Sequence, residues 1–403
     1  MITLFSGEFT LVPEAMDASH NWCTHNCGYC FANLNKPDRK INVNALFRQI
    51  TNYKNQINPV AFMLQHDMVV TVSNKTDPFA KSNDQISIPM LELFDDYKIK
   101  YSLQTRGGDL IGKYLDKSPQ KKVFYVSITH STDDTRKLTE SGAPSIESRW
   151  ELIDELIKRG HDVIVAYNPF WHVWLDIDIE LKKLDGRKVH GIVMQKLHIN
   201  NMQYSAMTDR YKKVFIDIFN ETKTRKRREE SVNNEYYKLF YNKLRCAGFK
   251  VKGYSETNMD NVYSIYADVY GVKSCFKTMD DFYIWCKNNK KNNDEVYFKD
   301  YYNFFSSDLP FKDKEFYISS YFRGIKTIDK NSSHSEKNKG FIKDVLAVYW
   351  NDFSYKRHPT MSSYFSLLTE NKKQRVLDYY GNNIYVFNSE KNTNFITEFS
   401  NQI

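Results

Sequence analysis

The chain has 403 residues, of which 41% are hydrophobic and 26% are charged, and its formal net charge is +8. This composition is that of a soluble globular protein, and the length predicts two or three domains, or one large barrel with an appendage. The charge permits an anionic partner such as a nucleic acid without requiring one.

No apolar run approaches the length of a bilayer span, and residues 1–14 lack the basic lead and cleavage site of a signal peptide. The sequence therefore predicts a cytoplasmic protein with no membrane partner. The chain has six cysteines, and three of them fall within eight positions, which is not the pattern of a disulfide framework.

From residue 9 to residue 219, apolar strand-like runs alternate with amphipathic helical segments. Six strands are predicted, over residues 9–13, 68–72, 100–105, 123–129, 162–167 and 189–197. Six helices are predicted, over residues 44–56, 88–97, 109–115, 145–159, 175–183 and 209–219. The alternation predicts an α/β fold of parallel strands with crossover helices, either an open sheet or an incomplete barrel. In both, the active site lies at the carboxyl ends of the strands.

Beyond residue 221 the alternation stops. Residues 223–228 form a basic run, which we interpret as a solvated helix between two regions. Residues 329–339 are polar and typical of a loop. We therefore expect one domain over residues 1–220 and a mixed or mostly helical C-terminal domain over residues 221–403, a candidate for substrate recognition.

The motif with chemical content is NWCTHNCGYCFA, which places Cys23, Cys27 and Cys30 in the loop after the first predicted strand. Three thiolates on one short loop can bind three irons of a cubane cluster and leave the fourth iron open to an exogenous ligand. Two alternatives compete with this interpretation. One is a structural zinc site with His25 as the fourth ligand, and the other is three buried cysteines without a metal.

The loop resembles that of the radical S-adenosylmethionine superfamily, and its CTHNCGYC form is closest to the branch of spore photoproduct lyase and DNA-repair-photolyase-like proteins. Four further stretches agree in order with that branch: residues 73–78 (SNKTDP), 104–106 (QTR), 126–128 (VSI) and 140–149 (ESGAPSIESR). The resemblance covers about the first 200 residues. It implies an incomplete parallel (βα)6 TIM-like barrel, the radical SAM core, over residues 1–220.

The resemblance also implies the cofactors and the site residues. Cys23, Cys27 and Cys30 would bind a [4Fe–4S] cluster as catalytic metal ligands, and Tyr29 matches a proposed catalytic relay tyrosine. Four residues match cofactor-binding positions: Phe31 near the adenine, Ser73 near the amino or ribose groups, Arg106 at the carboxylate and Ser127 near the ribose. Arg149 is interpreted as structural, paired with Glu147 or Glu140.

The implied activity is that of an enzyme whose reduced cluster cleaves S-adenosylmethionine to a 5′-deoxyadenosyl radical, which then abstracts hydrogen from a substrate. The branch implies a nucleobase in DNA or RNA, undergoing repair or modification, and an electron donor such as flavodoxin or ferredoxin. One departure bears on the reaction. Residues 72–74 contain no cysteine where the spore lyase carries a hydrogen donor. The alternatives are a peptide or small-metabolite substrate, or a non-enzymatic metal-bearing protein that binds nucleic acid.

Overall fold

The structure is a computed structural model. It describes the following residues: 3–5, 15–18, 23–30, 43–72, 76–118, 120–253, 269–272, 275–277, 279–317, 339–351, 361–371 and 373–390.

One eight-stranded sheet organises the first 253 residues, and its strand order follows the chain. The strands are β1 (Thr3–Phe5), β2 (Ala15–Ala18), β3 (Val70–Val72), β4 (Tyr101–Thr105), β5 (Val123–Ser127), β6 (Asp162–Phe170), β7 (Gly191–Lys196) and β8 (Val251–Gly253). β1 is antiparallel to β2, and every later pairing is parallel. The α/β fold of parallel strands is confirmed, and among the described strands no pairing joins β8 back to β1.

Eleven helices accompany this sheet in the described residues, and most lie in the connections between its parallel strands. They are α1 (Val43–Asn52), α2 (Pro59–Gln65), α3 (Asp84–Asp96), α4 (Ile111–Lys117), α5 (Asp133–Thr139), α6 (Ile146–Lys158), α7 (Ile177–Leu184), α8 (Asn201–Ala206), α9 (Asp209–Thr222), α10 (Arg225–Glu229) and α11 (Val232–Cys246). The predicted start of α6 is confirmed, because the Ser145 side chain accepts a hydrogen bond from the Ser148 amide. Its predicted end is confirmed as well, since Gly160 adopts a φ of +84° just beyond it.

The two faces of the sheet differ in what covers them. All of β5 is buried, and its side chains alternate between the faces. Phe124 and Val126 join the main hydrophobic core against the helices, whereas Val123 and Tyr125 join a smaller cluster on the inner face. Continuous apolar strands of this kind are typical of parallel sheets covered on both sides.

The remaining described elements form a mixed α and β region, as the sequence predicts for the C-terminal part. They are α12 (Met279–Asn289), β9 (Glu295–Val296), α13 (Phe298–Ser306), β10 (Phe316–Tyr317), β11 (Lys339–Gly340), α14 (Ile342–Asn351), α15 (Met361–Tyr364), β12 (Ser366–Leu367), β13 (Thr369–Glu370), β14 (Gln374–Arg375) and β15 (Tyr385–Val386). Phe62 on α2 packs against Phe276 and Phe311, with ring centroids 5.3 and 5.6 Å away. This region therefore shares one hydrophobic core with the sheet and its helices.

A short piece of the C-terminal part also covers the inner face of the sheet. Val269, Tyr270 and Val272 pack against the inner cluster. The Tyr270 hydroxyl donates to the Tyr101 carbonyl over 2.6 Å, at the amino end of β4. The amino ends of the strands are thus closed, and the carboxyl ends carry the cysteine loop.

Some elements differ from the predicted set. The strand predicted over residues 9–13 lies outside the described residues, and the strand that precedes the cysteine loop is β2. The helices α2, α5, α8 and α11 and the strands β1, β2 and β8 were not predicted. None of the described helices has the length and apolarity needed to cross a membrane.

Candidate active site

The cysteine loop, residues 23–30, is a compact turn at the carboxyl end of the sheet. The Cys30 amide donates to the Cys27 carbonyl over 3.1 Å, so the last two cysteines sit on one tight turn. Asn26 adopts a φ of +49°, a left-handed conformation that asparagine tolerates. Cys27 is buried, and Cys23 and Cys30 are partly exposed.

A second segment, residues 139–142, holds the cysteine loop through its backbone, and we call it the clamp segment. The Gly28 amide donates to the Thr139 carbonyl over 2.8 Å, and the Gly142 amide donates to the His25 carbonyl over 3.0 Å. Cys27 and Glu140 form an isolated antiparallel β-bridge between these two bonds. The clamp segment, more than a hundred residues later in the chain, therefore holds the cysteine loop in its conformation.

Two glycines allow the clamp segment and α9 to approach the cysteine loop closely. A Cβ atom on Gly142 would lie 2.1 Å from the backbone oxygen of Thr24, so only glycine fits there without a backbone shift. A Cβ on Gly28 would lie 2.6 Å from the ring of Tyr211 and 2.7 Å from that of Phe215, both on α9. The cysteine loop is thus enclosed between the clamp segment and α9.

The Glu140 carboxylate is fully buried at the centre of a hydrogen-bond network. Its Oε1 accepts from Arg106 Nε over 3.3 Å and from the Thr129 hydroxyl over 2.9 Å, and also from the Tyr29 hydroxyl. Its Oε2 accepts from Arg149 Nη2. Burial alone would raise the pKa of this carboxyl, but Arg149 and Arg106 hold it well below its usual range. Glu140 is therefore ionised and shared by two arginines, and the predicted structural pairing of Arg149 is confirmed.

Asp77 organises the neighbouring loop after β3. Its Oδ1 accepts from the Phe79 amide and the Thr105 hydroxyl over 2.9 and 2.8 Å, and its Oδ2 accepts from the Arg106 amide over 2.6 Å. The buried His25 ring lies beside it, with Nδ1 3.4 Å from Asp77 Oδ2. Burial lowers the pKa of His25, so the imidazole is neutral near pH 7 even beside this carboxylate.

The side chain of Tyr29 is buried, and its hydroxyl belongs to the Glu140 network. Its ring centroid lies 5.8 Å from that of Trp174 and 6.1 Å from that of Phe215. Arg106 Nη2 donates to its hydroxyl over 3.2 Å. The predicted catalytic role of Tyr29 stays a prediction, and its contacts show a residue that connects the cysteine loop to Arg106 and Glu140.

The donor set suits a cluster whose irons each take one sulfur ligand. Burial raises the pKa of the Cys27 thiol well above its usual value, and nearby Arg106 opposes that rise. Burial and the charge of Asp77 raise the pKa of Cys23 to about 11. These thiols are therefore protonated without a metal, and the binding of a metal would displace their protons.

Within the described residues, no three side chains of His, Cys, Asp or Glu already surround one metal position. A cubane spreads three cysteines over three separate irons, so its ligands need not converge on a single point. Three cysteines on one loop are compatible with such a cluster.

Of the four predicted cofactor-binding residues, two lie within the described residues and two lie outside them. Phe31 and Ser73 lie outside the described residues. Arg106 follows β4 at the edge of the cysteine loop, and its side chain is 19% exposed. Ser127 ends β5 on the same face as Val123 and Tyr125, and its carbonyl accepts from Arg149 Nη1 over 3.1 Å.

Sequence reasoning assigned no role to Asp77, Thr129 or His130, and it named Glu140 only as one of two possible partners of Arg149. His130 is buried between Thr129 and Thr139, with its ring nitrogens 2.9 and 3.0 Å from their hydroxyl oxygens. Burial lowers the pKa of His130 to about 4. Asp77 and Glu140 lie in two of the stretches that agree with the branch, and Thr129 and His130 follow a buried strand.

Comparison with known proteins bears directly on this site. Residues 19–170 match the family model of the Radical SAM superfamily, and the match includes the whole cysteine loop and the clamp segment. These residues form a radical SAM domain. The matched family implies an iron–sulfur cluster and S-adenosylmethionine as cofactors.

Parts of this chain also match parts of solved structures. SuiB of Streptococcus suis bound to S-adenosylmethionine is 12% identical, with a TM-score of 0.38 and coverage of 59% of this chain and 48% of that chain. SuiB bound to its precursor peptide SuiA is 15% identical, with a TM-score of 0.38 and coverage of 63% and 50%. A radical SAM methyltransferase from Sphaerobacter thermophilus is 14% identical, with a TM-score of 0.37 and coverage of 59% and 65%. The chain thus spans about half the length of SuiB, and no curated protein matches it.

Proposed function

We propose that Cys23, Cys27 and Cys30 bind a [4Fe–4S] cluster whose open iron takes S-adenosylmethionine, and that the enzyme abstracts hydrogen from a substrate held at the carboxyl ends of the strands. The proposal rests on the cysteine loop of the radical SAM domain. The clamp segment holds this loop in a tight turn beside Arg106. When bound, the reduced cluster would supply the electron that cleaves the sulfonium bond of the cofactor.

The chain's own residues would bind and orient the cofactor. The two side-chain bonds of Arg106 to Glu140 and Tyr29 use two of the five N–H groups of the guanidinium, and the others can pair with the cofactor carboxylate. Ser127 would contact the ribose from the inner face of the sheet, while the assignments of Phe31 and Ser73 rest on the sequence resemblance. The buried packing of Tyr29 against Trp174 would exclude water from one side of the cluster.

Anaerobic reconstitution tests this function. We expect the wild-type protein to bind about four irons and to release 5′-deoxyadenosine when dithionite and S-adenosylmethionine are added. Cys23→Ala, Cys27→Ala and Cys30→Ala should each lose the bound iron and the product. Cys246→Ala is the matched control, because this cysteine is exposed on α11. A colourless wild-type protein with stoichiometric zinc would contradict the proposal and favour the metal-bearing binder.

As substrate class we propose a nucleobase in DNA or RNA, supported by the CTHNCGYC form of the loop and by the net charge of +8. The basic run at α10 supports a nucleic-acid substrate less than its charge suggests. Arg227 Nη1 and Arg228 Nη1 donate to the carbonyls of Asn220 and Thr222, over 3.0 and 2.9 Å, so both cap the end of α9. Part of the positive charge therefore stabilises the fold.

Salt-dependent binding separates a nucleic-acid substrate from a peptide or small metabolite. We expect labelled single-stranded DNA or RNA to bind at low ionic strength, with an affinity that falls steeply as salt rises. Deuterium transfer from labelled nucleosides in the oligonucleotide into 5′-deoxyadenosine would then identify the reacting base. Absence of binding at low salt would contradict the nucleic-acid substrate while leaving the radical chemistry intact.

A further inference from the structure

The Arg106 guanidinium is surrounded by groups that can carry negative charge. Burial lowers the pKa of Arg106, but Tyr29, Cys27 and Glu140 together raise it well above its usual value, so it stays charged. The same guanidinium touches the cysteine loop, because it donates to the Tyr29 hydroxyl and to Glu140, which is the β-bridge partner of Cys27. A permanent positive charge thus lies within electrostatic reach of one proposed cluster ligand.

Glu140 fixes where that charge lies. Its Oε2 is bound by Arg149, and Arg149 is itself immobilised by the carbonyls of Pro144 and Ser127, each 3.1 Å from a guanidinium nitrogen. These bonds orient the carboxylate so that its Oε1 accepts from Arg106 Nε. Tyr29 provides the second anchor, through its hydroxyl on Arg106 Nη2.

We propose that Glu140 is a positioning residue that holds the Arg106 guanidinium against the cysteine loop, and that this fixed positive charge raises the reduction potential of the bound cluster. The inference rests on the proposed function, because it requires that Cys27 be a cluster ligand. Charge and hydrogen bonding near the sulfurs set the potential of an iron–sulfur cluster. A neighbouring cation favours the reduced form, since that form carries one more electron, supplied by an external low-potential donor.

Redox titration of the reconstituted protein, followed by the EPR signal of the reduced cluster, measures the effect of Arg106. We expect Arg106→Gln to lower the reduced-to-oxidised ratio about tenfold at a fixed potential, which corresponds to about 59 mV for one electron. Arg106→Lys retains the positive charge without the planar fork, so its shift should be smaller. Arg159→Gln removes the same charge at the amino end of the sheet and should leave the potential unchanged.

A double-mutant cycle tests the role of Glu140 separately from that of Arg106. If Glu140 positions the guanidinium, Arg106→Gln should shift the potential much less in a Glu140→Gln background than in the wild-type protein. Tyr29→Phe provides a second background, which keeps the ring and removes only the hydroxyl anchor. This second cycle decides the question if Glu140→Gln does not fold.

The outcomes separate the two proposals. An unchanged potential in Arg106→Gln, or an equal shift in Arg159→Gln, would overturn the inference while the cluster itself remains. An equal effect of Arg106→Gln in the wild-type, Glu140→Gln and Tyr29→Phe backgrounds would overturn the positioning role. A wild-type protein that binds no cluster contradicts the proposed function, and the inference with it, before any variant is compared.

Discussion

At the scale of single residues, Glu180 is a buried acid that makes stability depend on pH. Burial raises its pKa to about 7, although the hydrogen bond from the Ser131 hydroxyl lowers it in part. Because the folded-state pKa lies above the usual value of 4.5, folding favours the protonated form. Its contribution to stability is fully present below about pH 4.5 and is lost as the pH rises through 7.

We therefore expect Glu180→Gln, which mimics the protonated acid, to gain stability relative to the wild-type protein as the pH rises. One pKa unit corresponds to about 1.4 kcal/mol, so the free energy of unfolding of the variant should rise by roughly 2–3 kcal/mol relative to wild type between pH 5 and pH 8. Urea denaturation at a series of pH values measures this. Glu151→Gln, at an exposed position on α6, is the control and should show no such trend.

The sequence indicated the three cysteines as ligands, because their spacing falls within one short loop. It indicated Arg149 as a possible partner of Glu140, but not Tyr29 or Arg106, which lie 111 and 34 positions away. Such pairings depend on how the carboxyl ends of β4 and β5 and the cysteine loop meet. The sequence alone also does not distinguish a buried carboxylate from an exposed one.

At the scale of secondary-structure elements, the clamp segment and the cysteine loop form one unit. Gly142→Ala places a methyl group against the Thr24 backbone, which cannot move away as a flexible side chain could. We expect a loss of about 1–3 kcal/mol in the free energy of unfolding, together with a lower iron content after reconstitution. Thermal melts of the apoprotein and iron assays measure the two effects.

Gly112→Ala is the matched control, since nothing lies within 4 Å of the added Cβ and the residue is in α4. Helix propensity predicts a neutral effect or a gain of up to about 1 kcal/mol. Equal stability and iron content in both variants would show that the close approach of the clamp segment does not shape the loop.

Elements were predictable where the apolar pattern was long, as in α1, α6 and β4. The missed helix α2 had a signal, because Asn58 caps it by accepting from the Ala61 amide and Pro59 occupies its first turn. Strand β8 has only three residues, and its place in the sheet comes from pairing with β7. No local pattern of that length distinguishes a strand from a loop.

At the scale of the whole molecule, the expected boundary near residue 220 crosses a continuous core. Tyr237, Phe240 and Leu244 on α11 are buried in the main hydrophobic core, and β8 covers the edge of β7. Burial of such side chains stabilises a fold by about 1.5–3 kcal/mol each, so these three contribute roughly 5–9 kcal/mol. That is comparable with the entire stability of an ordinary domain, which is about 5–15 kcal/mol.

We therefore expect a chain that ends at residue 222 to lose cooperative unfolding, because its exposed β7 edge and uncovered core favour aggregation. A chain that ends at residue 253 keeps α11 and β8 and should be more soluble and more resistant to proteolysis. Both should be less stable than the full chain, since each lacks Phe276 and Phe311, which pack on Phe62. Circular dichroism melts and limited proteolysis of the three lengths test this order. A cooperative melt of the shortest chain near that of the full protein would show that the first 222 residues fold independently, as the change in sequence pattern suggests.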